Sequence, residues 1–286
     1  MVTVYIGGGL ANKMFQYAFS LAIKKMGYEV DYDVQTFKTE FAHDQISLQS
    51  IFPNVKINES SVIKYSFAGK NGKIDRLIKR LSPYYIVEHA YLYNENVWKQ
   101  MKNRCYIESS WQDENYFISA ESDVRNAFRF PAFEDERNIE VAEDMASSNS
   151  VAIHIRKGDG YGTWNIFSNT CPKEYYFNAI KYIKDHVDNP KFYVFSDSPG
   201  VVQQYLGGEN FKLIDWNPTV GKGNYLDMQL MSSARHNIIA NSTYSWWGAW
   251  LNSNVEKIVV GPRFWFNPEC KLANINHVIP NRWVKL

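Results

Sequence analysis

The chain opens on an apolar run, Val2-Thr-Val-Tyr-Ile6, which glycines at 7, 8 and 9 interrupt. A short apolar run bounded by turn residues predicts a buried strand. Beyond Asn12, the residues Met14, Tyr17, Ala18, Leu21 and Ala22 fall at i, i+3, i+4, i+7 and i+8. That spacing is one face of a helix, and Gly27 supplies its stop. Val30, Tyr32 and Val34 then alternate with Asp31 and Asp33, which predicts a half-buried strand carrying the two aspartates on its polar face. The start therefore reads β-loop-α-β. From Thr36 to Val97 no period dominates.

The second half is patterned more strongly. Val151–Ile155 reads as a strand, and Pro172 suits the first turn of a helix with Tyr176, Ile180, Ile183 and Val187 on one face. Further strands are predicted at Lys191–Phe195, Phe211–Asp215, Asn237–Ala240 and Lys257–Val260, with a helical pattern at Leu226, Leu230, Met231 and Ala234. Strands alternating with helices imply βαβ units and parallel sheets. The charged, small-residue stretch Glu134–Ser150 is the expected boundary between two α/β domains, 1–145 and 146–286, separated by a cleft.

Composition narrows the function. With 31 basic against 30 acidic residues the chain lacks the cationic surplus of a non-specific nucleic-acid binder, so no nucleic-acid partner is expected. The 9 Trp, 19 Tyr and 17 Phe exclude a disordered or coiled-coil chain, and fit either a large core or rings that contact sugars or bases. Three scattered cysteines indicate reduced thiols, without a disulfide framework or a zinc cage. Neither a signal peptide nor a transmembrane run is visible. A cytoplasmic protein follows, with at most peripheral association at the inner membrane face.

Ligands of open parallel sheets bind beyond the carboxyl ends of the strands, and three polar clusters sit there. The first runs from His154 to Asp159. It places Arg156, a planar fork of donors suited to phosphate, where a strand opens into a loop; an ion pair of Arg156 with Asp159 bracing a turn is an equal reading. The second, Asn241 to Ser245, offers Ser242, Thr243 and Ser245 at a strand-to-helix turn, either an anion site or an ordinary helix cap. The third holds Ser196, Asp197 and Ser198, a capping turn or a binding loop. Asp31-Tyr-Asp33 has the D-x-D spacing of a metal-held sugar nucleotide, but strand alternation accounts for it, so no metal and no cofactor is expected. P-loop, dinucleotide, nucleophile-elbow and zincin motifs are absent.

Taken in order, these clusters resemble the α-1,2-fucosyltransferases of glycosyltransferase family 11, of the bacterial, GDP-fucose-dependent type. Gly8 to Ala18 is similar to the family's G-G-L-G-N-Q-M-F-Q-Y-A, with Ala11 and Lys13 as departures. His154 to Asp159 is similar to H-x-R-R-G-D, with Lys157 for the second arginine. Asp227 to His236, running into Asn241 to Leu251, is similar to the last family motif, and Ser110 to Phe117 to a stretch before the domain boundary.

The resemblance implies a GT-B fold of two Rossmann-like domains facing across a cleft, the first handling the acceptor and the second GDP-fucose. It implies inverting, metal-independent transfer of L-fucose to O-2 of a galactoside in a surface polysaccharide or oligosaccharide. The partners are then GDP-fucose and a galactose-containing acceptor. Arg156 becomes the cation on the pyrophosphate, with Asn12 approaching the fucosyl phosphate from the other domain. His154 and His236 become nucleotide contacts, and Asp227 a donor-side residue or the cap of its own helix. Gln112 and Glu114 lie on the acceptor side, and Asp159 and Glu114 are candidate bases. Two rival readings are a GT-B enzyme for another nucleotide sugar and a non-catalytic carbohydrate-binding protein.

Overall fold

A computed structural model describes residues 1–34, 46–59, 72–87, 92–158, 166–272 and 277–286. They form two compact units, Met1–Arg129 and Phe130–Leu286. The units part at 129/130 rather than at 145/146. The physical reason is that Glu134–Ser150 contains a helix, Glu136–Ala146, whose Val141 and Met145 pack with Ala152 and Tyr193 in the second unit's core.

The first unit holds β1 (Val2–Tyr5), α1 (Leu10–Lys25), β2 (Val30–Asp33), α2 (Leu48–Ile51), α3 (Lys73–Leu81), β3 (Tyr85–Val87), α4 (Asn96–Gln100), β4 (Tyr106–Glu108) and α5 (Glu121–Ala127). Its strands are parallel in the order β2-β1-β4-β3. Val2, Val4, Tyr32 and Ile107 share one buried face, against which α1 packs; Ser20 of α1 hydrogen-bonds the Tyr32 hydroxyl at 2.9 Å. The predicted stripe of α1 was too narrow. Lys13, Gln16, Phe19 and Ser20 are also buried, while Leu21 is not, because the helix is covered on a second side by aromatic rings. Phe19 stacks on Trp111 at 4.1 Å and meets Tyr116 at 5.5 Å, and Phe15 meets Phe117 at 6.0 Å.

The sheet's other face is polar but not solvated, which corrects the reading of the D-x-D pair. Asp31 and Asp33 are both buried, and the Tyr106 hydroxyl donates to Asp33 Oδ2 at 2.7 Å. The neighbouring Tyr85 hydroxyl donates to Glu108, whose carboxylate also pairs with Lys79 of α3 at 2.9 Å.

The second unit holds α6 (Glu136–Ala146), β5 (Ser150–Ile155), α7 (Lys173–His186), β6 (Lys191–Ser196), α8 (Val202–Leu206), β7 (Phe211–Ile214), α9 (Leu226–Ser233), β8 (His236–Ile238), α10 (Thr243–Leu251), β9 (Val259–Gly261) and β10 (Val284–Lys285). Its six strands are parallel in the order β10-β9-β8-β5-β6-β7. Helices cover both faces, so the central strand β5 is buried along its whole length. Val151, Ile153 and Ile155 meet Tyr176, Ile180 and Ile183 of α7 on one side, and Ala152 joins Leu230 and Met231 of α9 on the other. Gly248 lets α10 approach α9, since a Cβ there would lie 2.9 Å from that of Met231. The aromatic excess is largely core: Trp111, Trp246, Trp247 and Trp250 are fully buried.

Candidate functional site

β5 and β6 run in register to Ile155 opposite Ser196, so their carboxyl ends deliver residues 156–158 beside 196–198. Asp197 organises this junction. Its Oδ1 accepts from the Lys157 and Gly158 N–H groups at 2.8 and 3.0 Å, and its Oδ2 pairs with Arg156 Nε at 3.1 Å. A Cβ at 158 would stand 2.9 Å from Asp197 Oδ2, so a larger residue there has to displace the carboxylate. The pairing with Asp197 fixes Arg156 from the next strand, outside its own turn, and the alternative partner Asp159 is not among the described residues. Arg156 remains 30% exposed at the side chain, enough to meet a ligand, against 13% for Asp197. Lys157 is turned elsewhere, onto the Cys171 carbonyl at 3.2 Å and over the Tyr205 ring. Ser196 accepts from the Ser198 N–H at 3.0 Å, a capping turn.

Three elements converge behind Arg156. The buried His154 ring lies 6.0 Å from Tyr244, in the first turn of α10. The Tyr244 hydroxyl accepts from the Met228 N–H at 2.9 Å and donates to the Asn224 carbonyl at 2.6 Å, tying the starts of α9 and α10 together. Asp227, in the first turn of α9, accepts from Asn217 at 2.8 Å. Burial pushes the Asp227 carboxyl up to about 6, against the lowering effect of the Asn217 bond. Burial also holds His154 well below the ordinary imidazole range; Asp197 opposes this and Arg156 adds to it, so the ring is neutral near pH 7. Tyr244 is the joint that residue-type reasoning missed, although it stands in the middle of the Asn241–Ser245 cluster.

The α10 turn separates the two readings of its hydroxyls. Ser242 occupies the N-cap position, yet its side chain makes no capping bond. The first intrahelical bond is Trp246 N–H to the Ser242 carbonyl, so the N–H groups of 243–245 head the helix at its positive end. Thr243 is half-buried at that turn. Ser245 is not presented to a ligand: it is fully buried and donates to the Ser242 carbonyl at 3.2 Å. His236 is also misplaced by the motif reading. It starts β8 in register with Val151, at the far end of the sheet from Arg156, and its Nδ1 accepts from the Ile258 N–H.

The first unit brings its own candidates together. Gly8 takes a φ of +83°, the left-handed region that glycine allows, as β1 turns into α1. The Gly7 N–H donates to Gln16 at 2.8 Å, and Gln16 donates to the Ser109 carbonyl at 3.3 Å. Gln112 donates to Asn12 Oδ1 at 3.0 Å. Trp111, at a φ of +53°, holds a left-handed backbone just before Gln112. Its stacking on Phe19 pays for that conformation and aims the next residue at the glycine-rich loop. Glu114 is half-buried and opens the turn Glu114–Tyr116, capped by Asp113.

The chain is similar to known proteins. The family model described as Glycosyl transferase family 11 matches residues 104–284, more than half of the chain. An alpha-1,2-colitosyltransferase of Escherichia coli is 29% identical, covering 100% of this chain and 99% of that protein. The O-antigen biosynthesis glycosyltransferase WbnK, also of Escherichia coli, is 28% identical over 94% and 96%. Among solved structures, the alpha-1,6-fucosyltransferase NodZ from Bradyrhizobium, co-crystallized with GDP, aligns with a TM-score of 0.52 at 14% identity, over 86% of this chain and 90% of that one. A mutant of Arabidopsis thaliana FUT1 in complex with GDP gives 0.50 at 12% identity, over 90% and 69%. The likeness shows the GT-B fold class that the motifs implied.

Proposed function

The chain belongs to glycosyl transferase family 11, and from that premise we propose that it moves a 6-deoxyhexose, L-fucose, from its GDP conjugate to O-2 of a galactoside, with inversion and without a metal. The observation that carries the reading is Arg156, clamped by Asp197 at the carboxyl end of β5 while remaining part-exposed. Transfer breaks the bond between the anomeric carbon and the phosphate oxygen as the acceptor hydroxyl oxygen bonds to that carbon, its proton passing to a base or to the departing phosphate. Negative charge develops on the departing diphosphate. A preorganised guanidinium and helix N–H groups are the means of stabilising it where no metal does so.

Arg156 is pre-set by a carboxylate that cannot follow it into solvent, and the uncapped start of α10, with Ser242 and Thr243, supplies the second donor group. His154, neutral and buried, adds no charge beside the guanidinium, and Asp227 completes the donor side. Asp33 of the D-x-D pair is fully buried and bonded to Tyr106 within the first sheet, which supports the metal-free reading. Asn12, with Gln112, contributes neutral hydrogen bonding from the glycine-rich loop.

A second reading is favoured by one finding. The 29%-identical relative is named for colitose, the 3-deoxy counterpart of fucose, so GDP-colitose is the alternative donor. The test is a donor screen with both GDP sugars and simple galactosides, in excess EDTA, following GDP release and glycoside formation. Fucosyl product at an undiminished rate supports the proposal. Exclusive use of GDP-colitose reassigns the donor, and activity lost in EDTA but restored by Mn²⁺ overturns the metal-free account.

A further inference from the structure

Amphipathic helices normally turn their apolar stripe to the core and their charges to water. Helix α3 does the reverse. Ile74, Leu77, Ile78 and Leu81 fall at i, i+3, i+4 and i+7 and are 74%, 55%, 41% and 71% exposed. The helix meets its sheet through a cation instead: Lys79 is buried, reaching Glu108 of β4 at 2.9 Å and lying over the Tyr85 ring at 5.3 Å. The polar face of the first sheet, with its Tyr85–Glu108 and Tyr106–Asp33 pairs, explains why. A helix docked on that face satisfies a carboxylate and must leave its leucines outside.

One margin of the outward stripe is cationic. The nine residues Lys73–Leu81 carry four cations and a single acid. At 100° per residue, Lys73 and Arg80 project on the same side of the stripe, and both are exposed. Just past the helix, Tyr84 is half-exposed with Lys102 poised 4.8 Å over its ring. Apolar residues of this size, contiguous on one helix face, bordered by cations on one side and followed in the chain by an exposed tyrosine, form an interaction surface rather than scattered surface apolars.

We propose that α3 and Tyr84 are a peripheral membrane-docking surface whose occupant is an anionic lipid bilayer. The charge argues for lipid phosphates, because Lys73 and Arg80 border the stripe and Lys102 lies over Tyr84, while the helix's inward cation is already matched by Glu108. The geometry suits an interfacial helix, with its apolar side sunk below the headgroups and its cations level with them. Each cation near an anionic surface contributes about fivefold in partition. A helix this short gives reversible attachment. Among the described residues no helix is long and apolar enough to cross a membrane.

Flotation of the full chain with phosphatidylcholine vesicles, and with vesicles of equal phosphatidylcholine and phosphatidylglycerol, tests this. The chain should float with the anionic vesicles only, and less as salt rises. Leu77→Ser with Leu81→Ser should abolish flotation, and Lys73→Glu with Arg80→Glu should lower partition by about twenty-five-fold or more. Circular dichroism and light scattering accompany each variant. All four side chains are exposed, so the fold should be kept. Wild-type protein that stays unbound with both vesicles overturns the proposal. So does a dimer in solution that Leu77→Ser with Leu81→Ser converts to monomer, which would make a second copy the occupant.

Discussion

The carboxyl ends of the two sheets are furnished in opposite ways. In the second unit the strand ends carry charge under restraint: Arg156 is gripped by Asp197, two backbone N–H groups are locked to the same carboxylate, and the uncapped start of α10 stands nearby. In the first unit the corresponding loop is a relay of neutral amides, Gly7 to Gln16 to Ser109 and Gln112 to Asn12. Its carboxylates, Asp33 and Glu108, are held by tyrosines and a lysine. Charge fixed in advance suits a leaving diphosphate, whose stabilisation depends on electrostatics that need no reorganisation. Neutral amides suit hydroxyl-bearing sugars, where donors and acceptors must be offered together. The contrast can be broken at the charged end or sharpened at the neutral one.

The largest effect is expected at Arg156. Arg156→Ala should lower turnover by about a hundred- to a thousand-fold, the usual cost of a preorganised donor to a developing anion. Arg156→Lys should fall nearly as far, since the ammonium lacks the planar fork that Asp197 orients. Steady-state rates on folded protein decide it; near-normal turnover in the lysine variant removes the geometric role.

Asp197 comes next. Asp197→Ala leaves the Lys157 and Gly158 N–H groups unmatched and the guanidinium unheld, and should cost about 2 kcal/mol of stability as well as roughly tenfold or more in turnover. Gly158→Ala should reproduce the loss of turnover, because its methyl would press on the Asp197 carboxylate. Denaturant unfolding beside transfer rates separates the two consequences.

The smallest effect is a pH dependence. Burial raises the folded-state value of Asp227 to about 6 from an ordinary 3.8, so the group favours folding below about pH 4 and loses that contribution as pH rises through 6. Asp227→Asn keeps the shape without the buried charge. It should raise the melting temperature at pH 7 to 8, by about 1–2 kcal/mol in stability, with the gap closing toward pH 4. His154 has the opposite sign: its folded value is lowered, so stability is complete above its ordinary 6.5 and is lost as pH falls.

Much of the second unit was legible because its strands are buried on both faces and read as continuous apolar runs, as in Val151–Ile155 and Lys191–Phe195. The placement of Arg156 and Asp197 at neighbouring strand ends was legible for the same reason. His236 shows the limit of motif proximity: β8 begins one residue earlier than predicted, and a residue that begins a strand lies at the wrong end of it. In the 36–97 stretch α2 and β3 have only four and three residues, too few to display a period, while α3 does carry one, at Ile74, Leu77, Ile78 and Leu81, that was missed because it stands alone among them. The misplaced boundary came from reading charge before period, although Val141 and Met145 stand at i and i+4.

The most direct test of the division between the two strand-end sites is calorimetric titration of GDP into Asn12→Ala and Arg156→Ala, beside their transfer rates. Asn12→Ala should transfer at least tenfold more slowly while binding GDP almost as the wild type does, because losing one neutral hydrogen bond costs about 1 kcal/mol and touches no phosphate. Arg156→Ala should lose both. If Asn12→Ala loses GDP binding as severely as Arg156→Ala, with both proteins folded, the glycine-rich loop is a nucleotide loop and the division is wrong.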